Sequence, residues 1–201
     1  MGKKRNGDPK SLDPEVLGEY KSFLRQIGAL DQDGAYDKAI ILVIKKLKEA
    51  ERLDFVQPEV DLRNHLGILH WKNNAFETFL EETASALALA RVHNYKRGVA
   101  EALLNLAWVL AMERKDFIKA FDFTEEALGI TEEIGYVKGM ATSMYIIATA
   151  YKYKKMQKKA DYYLEKSLQL SMSLAEETDL LMPTQLSEEE KDQLKGALDL
   201  L

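Results

Sequence analysis

The sequence predicts an all-α protein, an α-solenoid in which antiparallel helix pairs stack one on the next and a C-terminal helix caps the last pair. Three observations predict this fold. Small and apolar residues recur at intervals of 40 or 41 residues along most of the chain. Within each segment the apolar positions follow helical spacing. Proline is scarce, with four residues in 201, which suits long helices.

The domain organisation follows from where this periodicity begins and ends. Residues 1–12 are basic and aperiodic, so we expect them to be disordered. Residues 13–175 carry the helix pairs, and residues 176–201 form a linker and the capping helix. Four pairs are predicted, at about 14–53, 58–93, 96–134 and 137–174.

The first pair is the least regular of the four. Its first helix starts at Asp13-Pro14, a good N-cap followed by proline at the first helical position. Gly28 is the predicted stop of this helix. The second helix follows the turn DQDGAYDKA and ends near Leu53, and Pro58 opens the second pair.

The end of the chain predicts a capping helix at about 188–200. Ser187, followed by Glu190, matches the capping-box pattern that starts a helix. The apolar stripe behind it would cover the exposed face of the last pair, as terminal elements of repeat arrays do. A dimerisation surface is the alternative use of this stripe.

Superposing the pairs aligns independent columns of residues in one register. The second helices align on Ala39, Phe79, Ala120 and Ala160, and again on Leu47, Leu87, Leu128 and Leu168. In the first helices a column of small residues contains Gly67, Ala107 and Ala148. Small side chains at one place in successive helices predict a close approach between packed helices.

Composition excludes several classes of function. The chain has no cysteine, which rules out disulfides, thiolate metal sites and cysteine nucleophiles. A net charge of −5 argues against a general binder of nucleic acid. No segment approaches the ~20 apolar residues that span a bilayer, and no secretory signal begins the chain. We therefore expect a cytoplasmic protein without a membrane or nucleic-acid partner.

Catalytic motifs are likewise missing from the sequence. No HExxH metal motif occurs, and the glycines form no phosphate-binding loop. Glutamate pairs such as Glu81-Glu82 lie beside the apolar columns, where solvated helix faces are expected. We therefore predict that the protein is not an enzyme and holds neither a metal nor a cofactor.

A two-part pattern recurs within each of the last three pairs. The first helices carry Leu66-Gly67, Leu106-Ala107 and Ile147-Ala148. The second helices carry Ala86-Leu87, Ala127-Leu128 and Ser167-Leu168. This pattern resembles the tetratricopeptide repeat over about residues 58–175, and more loosely over 14–57. Because the usual period is about 34 residues, the chain is closer to the longer-helix variant, similar to that of kinesin light chains.

This resemblance implies a right-handed superhelix that binds a protein or peptide on a concave surface lined by the first helices. It points to three columns on that surface: Asn64, Leu104 and Tyr145; Ile68, Trp108 and Thr149; and Trp71, Ala111 and Lys152. Within the third pair one helix face carries Glu101, Asn105, Trp108 and Met112.

Three of these residues have two interpretations each. The resemblance implies that Asn105 hydrogen-bonds the backbone of a bound peptide, and the alternative is an amide satisfied within the scaffold. Trp71 and Trp108 are anchors of the kind found at binding hot spots, or they fill space between helices.

A run of positive charge follows the first helix of the fourth pair. It contains Lys152, Lys154, Lys155, Lys158 and Lys159, with Tyr151 and Tyr153 between them. This run predicts a receptor for an acidic tail or a C-terminal carboxylate, or else a solvated turn between helices.

The favoured hypothesis is a non-catalytic scaffold or adaptor that binds a peptide or helix of another protein. The alternative is a self-assembling structural component or a regulatory sensor that oligomerises through its ends.

Overall fold

Helices make up nearly all of the part of the chain that the computed structural model describes, residues 14–177, with side chains described for residues 22–174. The α-helices are α1 (Pro14–Gln32), α2 (Tyr36–Arg52), α3 (Val56–Lys72), α4 (Phe76–Val92), α5 (Lys96–Val109), α6 (Phe117–Glu133), α7 (Val137–Tyr153) and α8 (Gln157–Glu177). The predicted N-terminal segment 1–12 and the predicted capping helix at 188–200 lie outside the described residues.

Helix α1 is described by itself, because the chain divides into two compact units and the second begins at Gly34. The predicted stop at Gly28 is wrong, since α1 continues to Gln32. A glycine ends a helix by adopting a positive φ, and the glycine that does so here is Gly34, with φ 68°. Pro58 also differs from its prediction, because α3 begins two residues earlier, at Val56.

The turns between helices repeat every 20 residues. From α2 to α7, each helix is followed by one residue of left-handed backbone: Asp54, Asn74, Asn94, Lys115, Gly135 and Lys155. After most of these helices the next N–H closes the end on the carbonyl five residues back, as from Ala75 to His70 and from Tyr95 to Ala90, both at 2.8 Å. This is the Schellman motif, which satisfies carbonyls at a helix end.

One interval is 21 residues long, between Asn94 and Lys115. The extra residue lies in a π-helical turn at Leu110–Arg114, which continues α5. The turn ends with the N–H of Asp116 donating to the carbonyl of Leu110 at 3.0 Å. Because a π turn holds one residue more than an α turn, it absorbs the insertion. This turn is therefore the origin of the 41-residue intervals in the sequence.

Successive helices from α2 to α8 pack against one another in chain order. The first helices of neighbouring pairs also touch directly, α3 with α5 and α5 with α7. No comparable contact joins α4 to α6 or α6 to α8 within this part of the chain. The first helices therefore lie closer together than the second helices, which places α3, α5 and α7 on the inner side of the stack.

Two of the predicted packing columns are buried, and the leucine column is less so, since Leu47 is buried whereas Leu87, Leu128 and Leu168 are half-buried. Ala39, Phe79 and Ala120 are fully buried, and Ala160 is nearly so. The small-residue column explains how α3 approaches α4, because a Cβ at Gly67 would lie 2.6 Å from the hydroxyl oxygen of Thr83. These observations confirm the all-α helical-repeat solenoid that the sequence predicts.

Candidate interaction surface

The predicted site residues lie on α3, α5, its π-helical extension and α7, the helices on the inner side of the stack. Most of them are half-buried: Ile68, Trp71, Glu101, Asn105, Trp108, Met112, Tyr145 and Thr149. Lys152 is exposed. We call the half-buried set the inner face. It is continuous across three helices, so a ligand lying on it would touch more than one repeat.

Three predicted residues do not belong to this surface. Asn64 is only 3% exposed, Leu104 only 5%, and Ala111 is fully buried. Leu104 and Ala111 pack in the core cluster that includes Ala107 and Ile146. The amide nitrogen of Asn64 donates to the carbonyl of Gly98 at 3.2 Å, joining α3 to α5. All three side chains therefore hold the stack together, and none is accessible to a partner.

Asn105 takes part in the same connection between helices. Its amide nitrogen donates to the backbone carbonyl of Asn64 at 3.2 Å. Together with the bond from Asn64 to Gly98, this forms a short ladder of amide groups between α3 and α5. The structure thus favours the interpretation in which the amide of Asn105 is satisfied within the scaffold.

An aromatic pair forms the centre of the inner face. The rings of Trp108 and Tyr145 stack with their centroids 5.4 Å apart and their planes at 20°. The pair joins α5 to α7, and both residues are half-buried. Trp108 is therefore held in place by its neighbour while part of its surface stays accessible, as a pre-organised anchor requires.

Trp71 lies near the C-terminal end of α3, beside a shallow pocket of about 380 Å³. The pocket is lined by Trp71, Lys72, Asn74, Phe76, Glu113 and Arg114. The guanidinium of Arg114 lies 4.0 Å from the centroid of the Phe76 ring, in cation–π contact. The π turn thus brings a charged side chain from the third pair over the beginning of α4.

A polar cluster near the N-terminal ends of α3, α5 and α7 was not predicted from the sequence. The hydroxyl of Tyr95 donates to Asp61 at 2.9 Å. One period later, the hydroxyl of Tyr136 donates to Glu101 at 2.8 Å. Arg97 completes the cluster by donating to Glu101 at 3.1 Å, and its guanidinium lies 4.8 Å from the centre of the Tyr136 ring.

The sequence signal for this cluster is a tyrosine three residues before a glycine. The two copies are Tyr95 with Gly98 and Tyr136 with Gly139. A Cβ would lie 2.5 Å from the ring of Tyr95 at the first glycine and 2.7 Å from the ring of Tyr136 at the second. Glycine is therefore needed there for the ring to lie over the start of the helix and aim its hydroxyl at the preceding pair.

Burial dominates the electrostatics of the polar cluster. Burial, with a smaller contribution from the nearby charge of Glu101, raises the pKa of Asp61 to about 7, although the Tyr95 hydroxyl and Arg97 act in the opposite direction. Burial also raises the pKa of both Tyr95 and Tyr136. The two phenols therefore remain protonated near neutral pH and act as hydrogen-bond donors.

Among residues 22–174, no group of three or more histidine, aspartate or glutamate side chains is arranged to hold a metal ion. Within residues 14–177, no helix has the length and apolar character needed to cross a bilayer. What these residues offer is a surface of aromatic, amide and charged groups.

Comparison with known proteins gives a structural match alone. No protein-family model matches the chain, and no curated protein matches it. The solved structure of BtubC (BKLC) from P. vanneervenii is similar, with a TM-score of 0.60 and 18% sequence identity. The match covers 87% of this chain and 70% of that one. At this identity it supports a shared helical-repeat fold and says nothing of function.

Proposed function

We propose that this protein is a non-catalytic interaction scaffold of the longer-helix tetratricopeptide type, working in the cytoplasm. It binds a peptide or helix of a partner protein along the inner face of α3, α5 and α7. The observation that carries the proposal is the placement of the chain's only two tryptophans. Trp71 and Trp108 are both half-buried, and they lie on neighbouring first helices of the stack.

Tryptophan is suited to this role because it combines a large apolar area with one N–H donor and few rotatable bonds. Such residues dominate the energetics of protein interfaces. Stacking on Tyr145 holds Trp108 in one orientation before a ligand arrives. Since the ordering of side chains is a cost of association, a pre-ordered anchor raises affinity.

The first experiment identifies the partner and tests the surface. The wild-type chain is used as bait for affinity capture from its native host, beside the Asn105→Ala/Trp108→Ala double variant. Ile118→Ala is the matched control, because Ile118 is 72% exposed on α6, a second helix. We expect the double variant to lose the partner and the control to retain it. Because Asn105 and Trp108 also make scaffold contacts, urea unfolding must show that the double variant is folded.

The second experiment measures binding directly at the proposed anchor. In Trp71→Phe, Trp108 is the only tryptophan, so its fluorescence reports on the centre of the inner face. We expect the captured partner, purified, to shift this emission on titration. Full binding to the folded double variant, together with unchanged Trp108 emission, would show that the partner binds elsewhere.

A further inference from the structure

A group of exposed positive charges extends from the end of α7, through the turn that follows, into α8. Its members are Lys152, Lys154, Lys155, Lys158, Lys159 and Lys166. Elsewhere some exposed cations are paired with carboxylates, as in Arg91 with Glu126 and Lys96 with Glu133. Among residues 22–174, none of these six ammonium groups has a carboxylate partner. In a chain with a net charge of −5, this is a local reversal of sign.

Exposed aromatic and apolar side chains lie among these lysines. Tyr153 is 62% exposed, although its ring stacks on Phe117 with centroids 4.2 Å apart. Tyr162 is 55% exposed, and the ammonium of Lys166 lies 5.8 Å from its ring centre. Met156 is also exposed. We call the six lysines with Tyr153, Met156 and Tyr162 the lysine–tyrosine surface. It combines positive charge with apolar area.

The backbone at Lys155 is the second observation. Lys155 has a φ of 57°, a left-handed conformation that glycine and asparagine adopt more easily than lysine. Five equivalent turns use residues suited to it, namely Gly34, Asp54, Asn74, Asn94 and Gly135. Lys115 is also a lysine, but its ammonium bonds the carbonyl of Met112 at the end of its own helix. Lys155 has no such bond within the described residues. The left-handed backbone of this lysine therefore lowers stability, and no hydrogen bond of its ammonium group offsets that loss.

We infer that the lysine–tyrosine surface is a second docking surface, separate from the inner face, for an acidic segment of a partner protein that carries aromatic or aliphatic residues beside its carboxylates. The carboxylates pair with the ammonium groups, and the apolar side chains cover the exposed rings. The chain's overall negative charge repels a long polyanion on either side of this surface, which favours a short acidic peptide over nucleic acid.

The dimensions of the surface set the length of the ligand. Lys158 and Lys166 stand about 12 Å apart along α8, at a rise of about 1.5 Å per residue. About four residues of extended chain cover that distance. A segment of about eight residues, allowing for the lysines that end α7, is therefore long enough to reach all six ammonium groups.

The test uses fluorescence anisotropy with the full chain and a labelled synthetic peptide, Glu-Asp-Phe-Glu-Asp-Tyr-Glu-Glu. We expect this peptide to bind, and to bind more weakly as salt increases, because the charge pairs are exposed. A matched peptide with glutamine and asparagine in place of the acids should not bind at equal concentration. Lys155→Asn should weaken binding about two- to fivefold, as expected for one surface charge pair, and should raise the melting temperature. Loss of affinity with a gain in stability separates a docking role from a structural one.

Lys138→Gln is the control for the removal of one positive charge. Lys138 is exposed on α7, about 21 Å from Lys152 along the helix axis, and its substitution should leave affinity unchanged. Trp108→Ala should also leave it unchanged, which keeps this surface distinct from the inner face. Three results would each overturn the inference: equal binding of the acidic and neutral peptides, unchanged affinity of Lys155→Asn, or tighter binding of a single-stranded oligonucleotide or of anionic lipid vesicles than of the peptide.

Discussion

Replacing Gly67 by alanine measures how closely α3 and α4 approach. Gly67 and Gly129 both lie in helix interiors, so alanine at either position gains about 1 kcal/mol of helix propensity. At Gly129 the added methyl group meets nothing within 4 Å, so Gly129→Ala should stabilise the fold by about that amount. At Gly67 the methyl group would lie 2.6 Å from the hydroxyl oxygen of Thr83 and 3.4 Å from the carbonyl of Phe79.

Both of these neighbours are fully buried, so they have little room to move. Overpacking of this kind costs about 1–3 kcal/mol. Because the helix-propensity gain is common to both variants, Gly67→Ala should be less stable than Gly129→Ala by about 1–3 kcal/mol.

Urea unfolding followed by circular dichroism measures this difference. A third variant, Gly67→Ala/Thr83→Ala, removes the hydroxyl that the new methyl group would strike. The double variant should therefore be more stable than the sum of the effects of Gly67→Ala and Thr83→Ala predicts, as a double-mutant cycle measures for residues in contact. If Gly67→Ala stabilises the fold as much as Gly129→Ala does, then α3 and α4 have space between them. The small-residue column would in that case not be a packing requirement.

Three other perturbations give clear expectations. Because burial raises the pKa of Asp61 from its ordinary 3.8 to about 7, the free energy of unfolding should fall as pH rises between these values, by at most about 1.4 kcal/mol per pH unit. Asp61→Asn should remove this pH dependence. If urea titrations at several pH values give the wild type and Asp61→Asn the same pH dependence, the assignment to Asp61 is wrong. Tyr136→Phe deletes the bond to Glu101 and should cost about 1–3 kcal/mol in the same assay; no loss would mean that solvent replaces the hydroxyl. Deleting Met112 from the π turn should give a protein that still unfolds cooperatively, since the turn holds one residue more than an α turn; an aggregated or molten product would argue against an absorbed insertion.

The repeat itself could be predicted from the sequence because each packing column appears several times. Ala39, Phe79 and Ala120 support one another's register, and burial agrees with all three. The 41-residue interval was visible too. The position of the inserted residue could not be predicted, because an insertion anywhere between Ala107 and Ala120 produces the same spacing. Only the backbone reveals the π turn.

The surface was harder to predict because adjacent helix positions differ by about 100° around the axis. Leu104 and Asn105 are neighbours in the chain, yet one is buried and the other is half-buried. The spacing of apolar residues within one helix does not show which of two adjacent residues is buried by the neighbouring helix. The polar cluster was missed for a different reason. Tyr136 and Glu101 are 35 residues apart and belong to different helix pairs, so no pattern within one pair connects them.

The π turn at Leu110–Arg114 gives this periodic chain one position that can be told apart from the others. An extra residue in an unbroken α-helix would rotate everything after it by about 100° and carry the apolar columns off the core. Because the π turn takes up the extra residue within one turn, the later columns stay in place and only a few side chains are redirected. One of these is Arg114, which reaches Phe76 of the preceding pair. A periodic surface alone offers a ligand several equivalent registers. The Trp71 pocket, which Arg114 helps to line, supplies a fixed landmark from which a bound chain can be positioned.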